Sequence, residues 1–165
     1  MITLEKVCFA YEHEVALRYV DLQIEKGDSV VIQGPNGCGK STLIKLLNGI
    51  IYPSEGHYFY KNHEITEKTL KDRQFAKWFH QQMGYVFQNA DTQLFCGSVE
   101  EEIAFGPVQM GLSENEVRQR TEDCLQLFGI EKLRERPPYH LSGGEKRKVS
   151  LACILSLNPE VLILD

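Results

Sequence analysis

The sequence predicts an α/β protein, and three stretches of the chain carry that prediction. Residues 2–9 and 20–25 alternate apolar and polar side chains, as half-buried strands do. Residues 29–48 contain a short apolar run, a glycine-rich loop and a helical pattern. Residues 98–129 show helical periodicity, after which the chain returns to a helix and an apolar strand. This order places a helical insertion within an α/β core.

Composition and charge narrow the class of protein. The chain has 165 residues, of which 42% are hydrophobic and 25% charged, which is typical of one globular domain. Its formal net charge of -5 argues against a nucleic-acid surface, where a basic stripe is expected. The sequence contains neither an apolar run of about 18 residues nor the pattern of a signal peptide. A membrane role would therefore act through a partner subunit.

The first half of the chain predicts four further elements. Ser29–Gln33 is a continuous apolar run, typical of a fully buried strand, and it follows a turn at Lys26–Asp28. A helix is expected from Lys40 to about Asn48, ended by glycine. Gly56–Tyr60 predicts a sheet-packed strand, followed by a turn at residues 61–62. Residues 66–80 are charged and weakly patterned, and Met83–Gln88 predicts another strand.

The second half is predicted to be mainly helical. Ser98 and Ser113 each begin a capping box. An apolar stripe follows the second box at helical spacing, formed by Val117, Thr121, Cys124, Leu125 and Phe128. A helix is then expected from Ser142 to about Leu157. Val161–Leu164 should be a central parallel strand beside the strand at 29–33.

The loop from Gly34 to Ser41 fits the pattern G-x-x-x-x-G-K-[ST] at every fixed position. Its glycines allow backbone amides to converge on a phosphate at a helix N-terminus. Lys40 supplies a charge for the β- and γ-phosphates, and Ser41 offers a hydroxyl to Mg²⁺. The predicted nucleotide-binding residues here are Gly34, Pro35, Asn36, Gly37, Cys38, Gly39, Lys40, Ser41 and Thr42.

A second anion site is predicted at Leu141-Ser142-Gly143-Gly144-Glu145. Ser142 is a good N-cap, and the two glycines expose amides at a helix start. Because the first loop already holds one nucleotide, this site would take another phosphate or the nucleotide of another subunit. The alternative is an ordinary N-cap with flexible glycines.

The five cysteines form no C-x-x-C motif. We interpret them as buried, small apolar side chains in a reducing compartment. Cys38 is set apart by its place in the glycine-rich loop, where a thiol reagent is expected to interfere with nucleotide binding.

Together these segments resemble the ATP-binding subunits of ATP-binding-cassette (ABC) transporters, and most closely those of energy-coupling-factor and cobalt/nickel importers. The matching stretches are the loop, residues 86–95, residues 99–107 and residues 140–146. The resemblance implies a P-loop NTPase core with an N-terminal antiparallel β subdomain and an inserted helical subdomain. It divides one incomplete domain, 1–165, into 1–88 (β subdomain and P-loop core), 89–140 (helical) and 141–165 (signature helix and Walker B strand).

The resemblance also implies roles for individual residues. Tyr11 would stack on adenine; the alternative is a strand-end aromatic side chain in the core. Gln88 would reach Mg²⁺ and the attacking water, which makes Lys40 and Gln88 the candidate catalytic residues. Asp165 would order Mg²⁺ together with Ser41 and Gln88. The structural alternatives are a solvated glutamine at a strand end and an acid after a core strand.

Partners follow from the same resemblance. The signature residues Leu141, Ser142, Gly143, Gly144 and Glu145 would close over the nucleotide of a second ATPase subunit, head to tail. A transmembrane coupling subunit would dock near residues 88–107, on the cytoplasmic face of the membrane. Leu94, Phe95 and Phe105 could line that groove or belong to the helical core. The charged run at residues 145–148 is interpreted as a solvated helix face.

The chain departs from the family pattern at two places. Glu145 stands where most members have glutamine, although the cobalt-type group often has glutamate. The family also places a catalytic glutamate, a dimer-forming loop and a switch histidine after the Walker B aspartate, and this sequence has none of them. We therefore expect a C-terminally truncated or incomplete ATPase that by itself hydrolyses ATP negligibly.

Two other functions remain open from the sequence. One is a non-hydrolysing ATP-binding scaffold, and the other is an ABC ATPase of DNA maintenance. The latter class carries long coiled coils or cysteine zinc motifs, and the sequence shows neither. The expected ligands are ATP and Mg²⁺. The transported solute (cobalt, nickel or a vitamin) and the choice between homodimer and heterodimer are left undetermined.

Overall fold

The computed structural model describes residues 1–12 and 14–165, which form two compact units, Met1–Trp78 and Phe79–Asp165. The first unit is mainly antiparallel β-structure and the second is mainly helical. Within the described ranges, we find no helix with both the length and the apolar character that crossing a bilayer requires.

The first unit is organised by a four-stranded antiparallel sheet with the strand order β2-β1-β3-β4. Its strands are β1 (Ile2–Tyr11), β2 (Glu14–Ile24), β3 (Glu55–Tyr60) and β4 (His63–Glu64). Alternation along β1 and β3 buries one face, which includes Leu4, Tyr58 and Tyr60. The three predicted strands in this region are confirmed, and β2 starts earlier than its pattern indicated.

Helix α1 (Lys40–Leu47) packs on this sheet. The hydroxyl of Tyr58 donates to the carbonyl of Leu47 across 2.8 Å, which joins β3 to the end of the helix. Gly49 adopts φ 67° just after the helix, as expected for a glycine that ends one. The predicted helix and its C-terminal stop are confirmed.

The predicted strand at Ser29–Gln33 is wrong. The segment is neither helix nor strand, and the Val31 side chain is 75% exposed. A fully buried strand requires hydrogen-bonded neighbours, and neither of the two sheets formed by the described residues includes this segment. An apolar run therefore indicates that a segment favours burial, but a strand forms only where a neighbouring strand is hydrogen-bonded to it.

Helix α2 (Arg73–Gln82) was not predicted, because residues 66–80 are charged and weakly patterned. An aromatic cluster explains part of it. Trp78 lies 5.4 Å from Phe75 and 5.3 Å from His63, measured between ring centroids. Three aromatic rings are enough to orient a short helix without a continuous apolar stripe.

The second unit packs three helices around an apolar core. They are α3 (Val99–Met110), α4 (Glu114–Phe128) and α5 (Gly143–Leu155). The core residues with the least exposure are Val99, Ile103, Leu125, Ile130, Val149 and Ala152. The stripe predicted for α4 is confirmed at its centre, since Thr121, Cys124 and Leu125 are buried.

Helix caps follow the prediction at one serine and depart from it at the other. Ser113 and Glu116 form a complete capping box at the start of α4. Ser98 accepts a hydrogen bond from the Glu101 amide, but the Glu101 carboxylate accepts from the Gly97 amide, 3.0 Å away. The second half of the predicted Ser98 box is therefore wrong.

A two-stranded parallel sheet completes this unit. β5 (Met83–Val86) pairs with β6 (Val161–Leu164), with Met83 opposite Val161 and Val86 opposite Leu164. The final strand is thus confirmed, but its described neighbour is β5 and not residues 29–33. A Cβ at Gly84 would lie 2.7 Å from the side chains of Ile154 and Pro159, so β5 packs closely against the end of α5.

Candidate functional site

The glycine-rich loop is held together by its own lysine. The Lys40 ammonium donates to the carbonyls of Gly34 and Pro35, both at 2.8 Å. The Cys38 amide donates back to the Pro35 carbonyl across 3.4 Å. An ammonium has three donor hydrogens, so two bonds to the loop leave one for an anion. The charge is thereby fixed at the start of α1.

Gly39 brings this loop against strand β2. It adopts φ 95° and ψ 8°, and a Cβ there would lie 2.4 Å from the carbonyl oxygen of Ala16. Only glycine satisfies both the left-handed conformation and the close approach. The first turn of α1 contains no acidic residue. The backbone cradle and the helix N-terminus therefore fit a phosphate group.

Ser41 and Tyr11 are accessible, as the roles implied for them require. Ser41 lies in the first turn of α1 and is exposed, whereas Thr42 is buried. Tyr11 ends β1 and is 43% exposed, with its ring 4.8 Å from that of Phe9 in an edge-on arrangement. Its Cα partner across the hairpin is Glu14, two residues from the Ala16 carbonyl that contacts the loop.

In the second unit, the ends of β5 and β6 bring Gln88 and Asp165 to one edge. The Asp165 amide donates to the Val86 carbonyl across 3.2 Å, and Gln88 lies two residues beyond Val86, exposed. The carboxyl ends of parallel strands form the edge where ligands bind in open α/β sheets. Of the predicted Mg²⁺ ligands, Ser41 lies in the first unit, and Gln88 and Asp165 lie in the second.

Tyr85 is a residue that the sequence reasoning missed. Its hydroxyl donates to Oδ2 of Asp165 across 2.9 Å. Burial, followed by the bond to the Asp165 carboxylate, raises the pKa of Tyr85 to about 12. The phenol therefore stays a neutral donor and orients the carboxylate. The sequence feature that could have indicated this role is a tyrosine hydroxyl within an apolar strand, close to the candidate catalytic residue Gln88.

The signature residues form an exposed turn at the start of α5. Leu141 is buried and anchors the turn, while Gly143 and Gly144 are exposed. Oε2 of Glu145 accepts from the Ser142 hydroxyl at 2.7 Å and from the Ser142 amide at 2.8 Å. These two hydrogen bonds lower the pKa of Glu145 below its usual value. The turn is thus a complete capping box with open space above its glycines.

The charged run after this turn is a solvated face only in part, because Lys148 is exposed whereas Glu145, Lys146 and Arg147 are half-buried. Lys146 forms an ion pair with Asp91 at 2.6 Å, and Arg147 donates to the carbonyl of Phe87 at 2.8 Å. Lys148 donates to the Phe128 carbonyl at 3.1 Å. A run of charges in the sequence does not show that a neighbouring loop supplies acceptors.

Two aromatic side chains of the second unit form an exposed pair, with Phe95 in the loop before α3 and Phe105 within α3. Phe95 and Phe105 are 69% and 43% exposed, and their rings meet edge to face with centroids 5.0 Å apart. Leu94 instead packs against the helical core, so the predicted groove residues divide between surface and core. The buried Glu102 carboxylate accepts from the amides of Phe95 and Cys96, which fixes the backbone below the exposed ring.

Metal-ligating and thiol groups add little to these sites. Among residues 1–12 and 14–165, no group of three or more His, Cys, Asp or Glu side chains could hold a metal ion. Mg²⁺ at nucleotide sites needs only one or two protein ligands, because phosphates and water supply the others. Cys124 is buried as expected, whereas Cys38 is exposed, and burial raises the pKa of the Cys153 thiol.

Comparison with known families decides the family of the chain. Residues 17–165 match the family described as ABC transporter. This range includes the glycine-rich loop and the signature turn. The chain belongs to the ABC transporter family. The resemblance inferred from the two motifs is thereby confirmed.

Its relatives include ABC transporter ATP-binding proteins, one of them named for nickel import. The chain is 55% identical over 165 residues to a putative ABC transporter ATP-binding protein of Clostridium acetobutylicum. It is 49% identical over 165 residues to the nickel import ATP-binding protein LarO of Lactiplantibacillus plantarum. Each comparison covers 100% of this chain and 68% of the relative.

Two solved ABC structures share the fold. The chain matches cbiO1 of Clostridium perfringens, part of the ABC transporter complex cbiONQ, with a TM-score of 0.88 and 38% identity over 99% of this chain and 64% of that one. It matches a dimeric, post-hydrolysis ATP-binding cassette bound to ADP and Pi with a TM-score of 0.85 and 28% identity over 100% of this chain and 73% of that one. The predicted P-loop NTPase fold class is confirmed. The chain spans about two thirds of the length of these proteins.

Proposed function

We propose that this chain provides the ATP-binding core of an ATP-hydrolysing subunit that powers a membrane importer of the cobalt/nickel or vitamin type. The observation that carries the proposal is the Lys40 ammonium, fixed by two loop carbonyls at the N-terminus of α1. The nickel import relative and the cbiO1 structure favour the importer class.

The roles of individual residues follow from their surroundings. Lys40 directs its remaining donor at the β- and γ-phosphates, and the amides from Gly37 to Ser41 surround them. Tyr11 stacks on the base with its exposed face. In the first unit Ser41 would offer its hydroxyl to Mg²⁺, and in the second unit Gln88 and Asp165 would offer side-chain oxygens, with Tyr85 keeping the Asp165 carboxylate oriented. When bound, Mg²⁺ neutralises charge on the phosphate oxygens.

The signature turn favours a second ATPase subunit as partner, arranged head to tail. Gly143 and Gly144 leave their amides accessible, and a Cβ on either would meet no described atom within 4 Å. The turn therefore has room for a phosphate carried by a separate chain. The dimeric cassette among the similar structures supports a second subunit as partner.

The exposed Phe95–Phe105 pair favours a transmembrane coupling subunit that docks near residues 88–107. Exposed aromatic side chains are enriched at protein interfaces, because they bury a large apolar area. We propose that the chain is peripheral, on the cytoplasmic face of the membrane. The subdomain division at 88 and 140 belongs to the same proposal, with the docking surface at the start of the helical subdomain.

Titration with a fluorescent ATP analogue tests the proposal directly. We expect Lys40→Ala to weaken binding roughly 10- to 100-fold, because a charge-assisted hydrogen bond to phosphate is lost. Lys45→Ala is the matched control, since Lys45 is exposed in the last turn of the same helix and should leave affinity unchanged. Equal affinities for both variants and the unaltered chain would overturn the proposed site.

A further inference from the structure

We propose that Lys146 and Arg147 are positioning residues that join segment 87–93, which carries Gln88, to the first turns of α5, so that the two shift together. The inference rests on the proposed function, because Gln88 and the signature turn give this coupling its use. Neither side chain is assigned a contact with nucleotide. Both act through segment 87–93, and we call their contacts with it the brace.

The brace contacts the first residue of the segment and a residue in its second half. Arg147 Nη1 donates to the Phe87 carbonyl at 2.8 Å, directly before Gln88 in the chain. Lys146 Nζ donates to Oδ1 of Asp91 at 2.6 Å, and the Lys146 side chain is only 19% exposed. The two cations are consecutive residues that follow Glu145 immediately. The brace therefore spans from the backbone beside Gln88 to the backbone beside the signature glycines.

Gln93 forms a third, uncharged connection. Its amide nitrogen donates to the carbonyl of Ser150 on α5 at 3.1 Å, and its amide oxygen accepts from the Phe87 amide at 3.3 Å. This side chain thus links the first and last residues of the segment to each other and to α5. Three separate attachments to one helix oppose both sliding and tilting of the segment.

The segment is also tied together internally, so a displacement at one residue moves the others. Asn89 Oδ1 accepts from the Asp91 amide at 3.0 Å, and the Asn89 carbonyl accepts from the Thr92 hydroxyl at 2.7 Å. The backbone amide of Gln93 donates to the Ala90 carbonyl at 3.1 Å. A tightly bonded turn transmits displacement as one piece, which a mobile loop does not.

The chemistry makes this coupling useful at the proposed site. Gln88 is assigned to Mg²⁺ and the attacking water, and the signature turn is assigned to the nucleotide of the second subunit. A shift of Gln88 on nucleotide binding would move Asp91 and, through Lys146, the start of α5. The brace would thereby let one nucleotide site set the position of the turn that serves the other.

Amide hydrogen exchange on the full chain tests the brace in both directions, since coupling between two sites is reciprocal. We expect Lys146→Met to raise exchange at the amides of residues 91–93 about two- to fivefold, the range of a partly exposed ion pair. Asp91→Asn should raise exchange at the Glu145 and Lys146 amides by a similar factor. Arg147→Met should raise exchange at the Phe87 amide by a similar factor.

The controls separate coupling from general loss of structure. Lys148→Met changes a cation on the same helix whose hydrogen bond goes to the Phe128 carbonyl, outside segment 87–93, so it should leave these amides unchanged. Lys146→Arg should keep exchange slow. The double variant Asp91→Lys, Lys146→Asp, in which the two charges are exchanged, should also show slow exchange. Protection within α4 should stay constant in every variant.

The results decide this inference independently of the proposed function. A one-sided effect, no effect, or an equal effect from Lys148→Met overturns the brace. Fluorescent ATP analogue binding is measured in parallel, and we expect the brace variants to keep the affinity of the unaltered chain within about twofold, because the phosphate loop is not part of the brace. Failure of the unaltered chain to bind the analogue overturns the proposed function, while the exchange result still decides the brace.

Discussion

The phosphate loop and the signature turn are both glycine-rich starts of helices, but their glycines serve different purposes. In the loop, Gly39 has a left-handed conformation and no space for a Cβ beside Ala16. In the turn, Gly143 and Gly144 belong to helix α5, and a Cβ on either would meet no described atom within 4 Å. The chain's own fold therefore requires the first glycine. The fold of this chain does not require the other two, as expected if the proposed partner approaches them from outside.

The same two regions differ in charge. The loop presents the Lys40 ammonium and no acidic side chain in the first turn of its helix. In the signature turn, the Glu145 carboxylate already accepts from the amide and hydroxyl of Ser142. The loop therefore attracts an anion by itself, whereas an anion at Ser142 has to replace an internal carboxylate. This contrast is expected if the second site works only when a partner delivers the phosphate.

Gly39→Ala should produce the largest change in stability. Left-handed backbone and the close Ala16 carbonyl together should lower the free energy of unfolding by at least about 2 kcal/mol. Urea denaturation measures it. Gly27→Ala is the matched control, because Gly27 has φ 94° with no described atom within 4 Å of a Cβ, so it should cost only about 1 kcal/mol. Equal losses would show that the contact with β2 contributes nothing.

Ser142→Ala should have the next largest effect, a loss of about 1 kcal/mol through the missing N-cap. Ser113→Ala removes the same box from α4, where no glycines follow, and should cost a similar amount. Only Ser142→Ala should also weaken ATP-dependent pairing of two copies, measured by analytical ultracentrifugation. If both variants pair alike, the signature turn is only a cap.

Acid should reduce the difference between Ser142→Ala and the unaltered chain. Ser142 holds the pKa of Glu145 below its usual value, so this carboxylate stabilises the fold above its unfolded pKa. That contribution is lost as the pH falls through the folded pKa, once the carboxylate is protonated. Denaturation at neutral pH and in the acid range checks the sign, and a difference that grew with acid would contradict it.

Gly144→Ala should have the smallest effect on stability, with the opposite sign to Gly39→Ala. Alanine in an open helical position should raise the free energy of unfolding by about 0.5–1 kcal/mol. The added methyl group should nevertheless weaken ATP-dependent pairing, because it occupies the space reserved for the partner's phosphate. A destabilised Gly144→Ala protein would show that this glycine serves the fold of its own chain.

Local sequence patterns anticipated much of the structure where a single segment determines its own conformation. The helix at Lys40, the capping box at Ser113 and the alternating strands β1 and β3 depend on neighbours in the sequence. Patterns failed where the partner is distant. Ser29–Gln33 lacks the sheet neighbours that its apolar run implied, and β6 pairs with β5 instead.

The candidate site divides along the same line. The residues that would grip a phosphate could be read from spacing alone, because the loop and the signature turn are short and contiguous. Tyr85, Glu102 and the Lys146–Asp91 pair could not, since each acts on a residue brought near by folding. A hydroxyl, a carboxylate or an ammonium has no assigned role until its acceptor or donor is known.

The sequence by itself determined the ligand class and the glycine-dependent turns of this ABC protein, because backbone conformation and helix ends depend on neighbours along the chain. Only the tertiary structure decided which strand lies beside β6, which carboxylate Tyr85 orients, and that Lys146 and Arg147 hold segment 87–93. Those contacts join residues 55 to 80 positions apart, and their geometry exists only once the chain has folded.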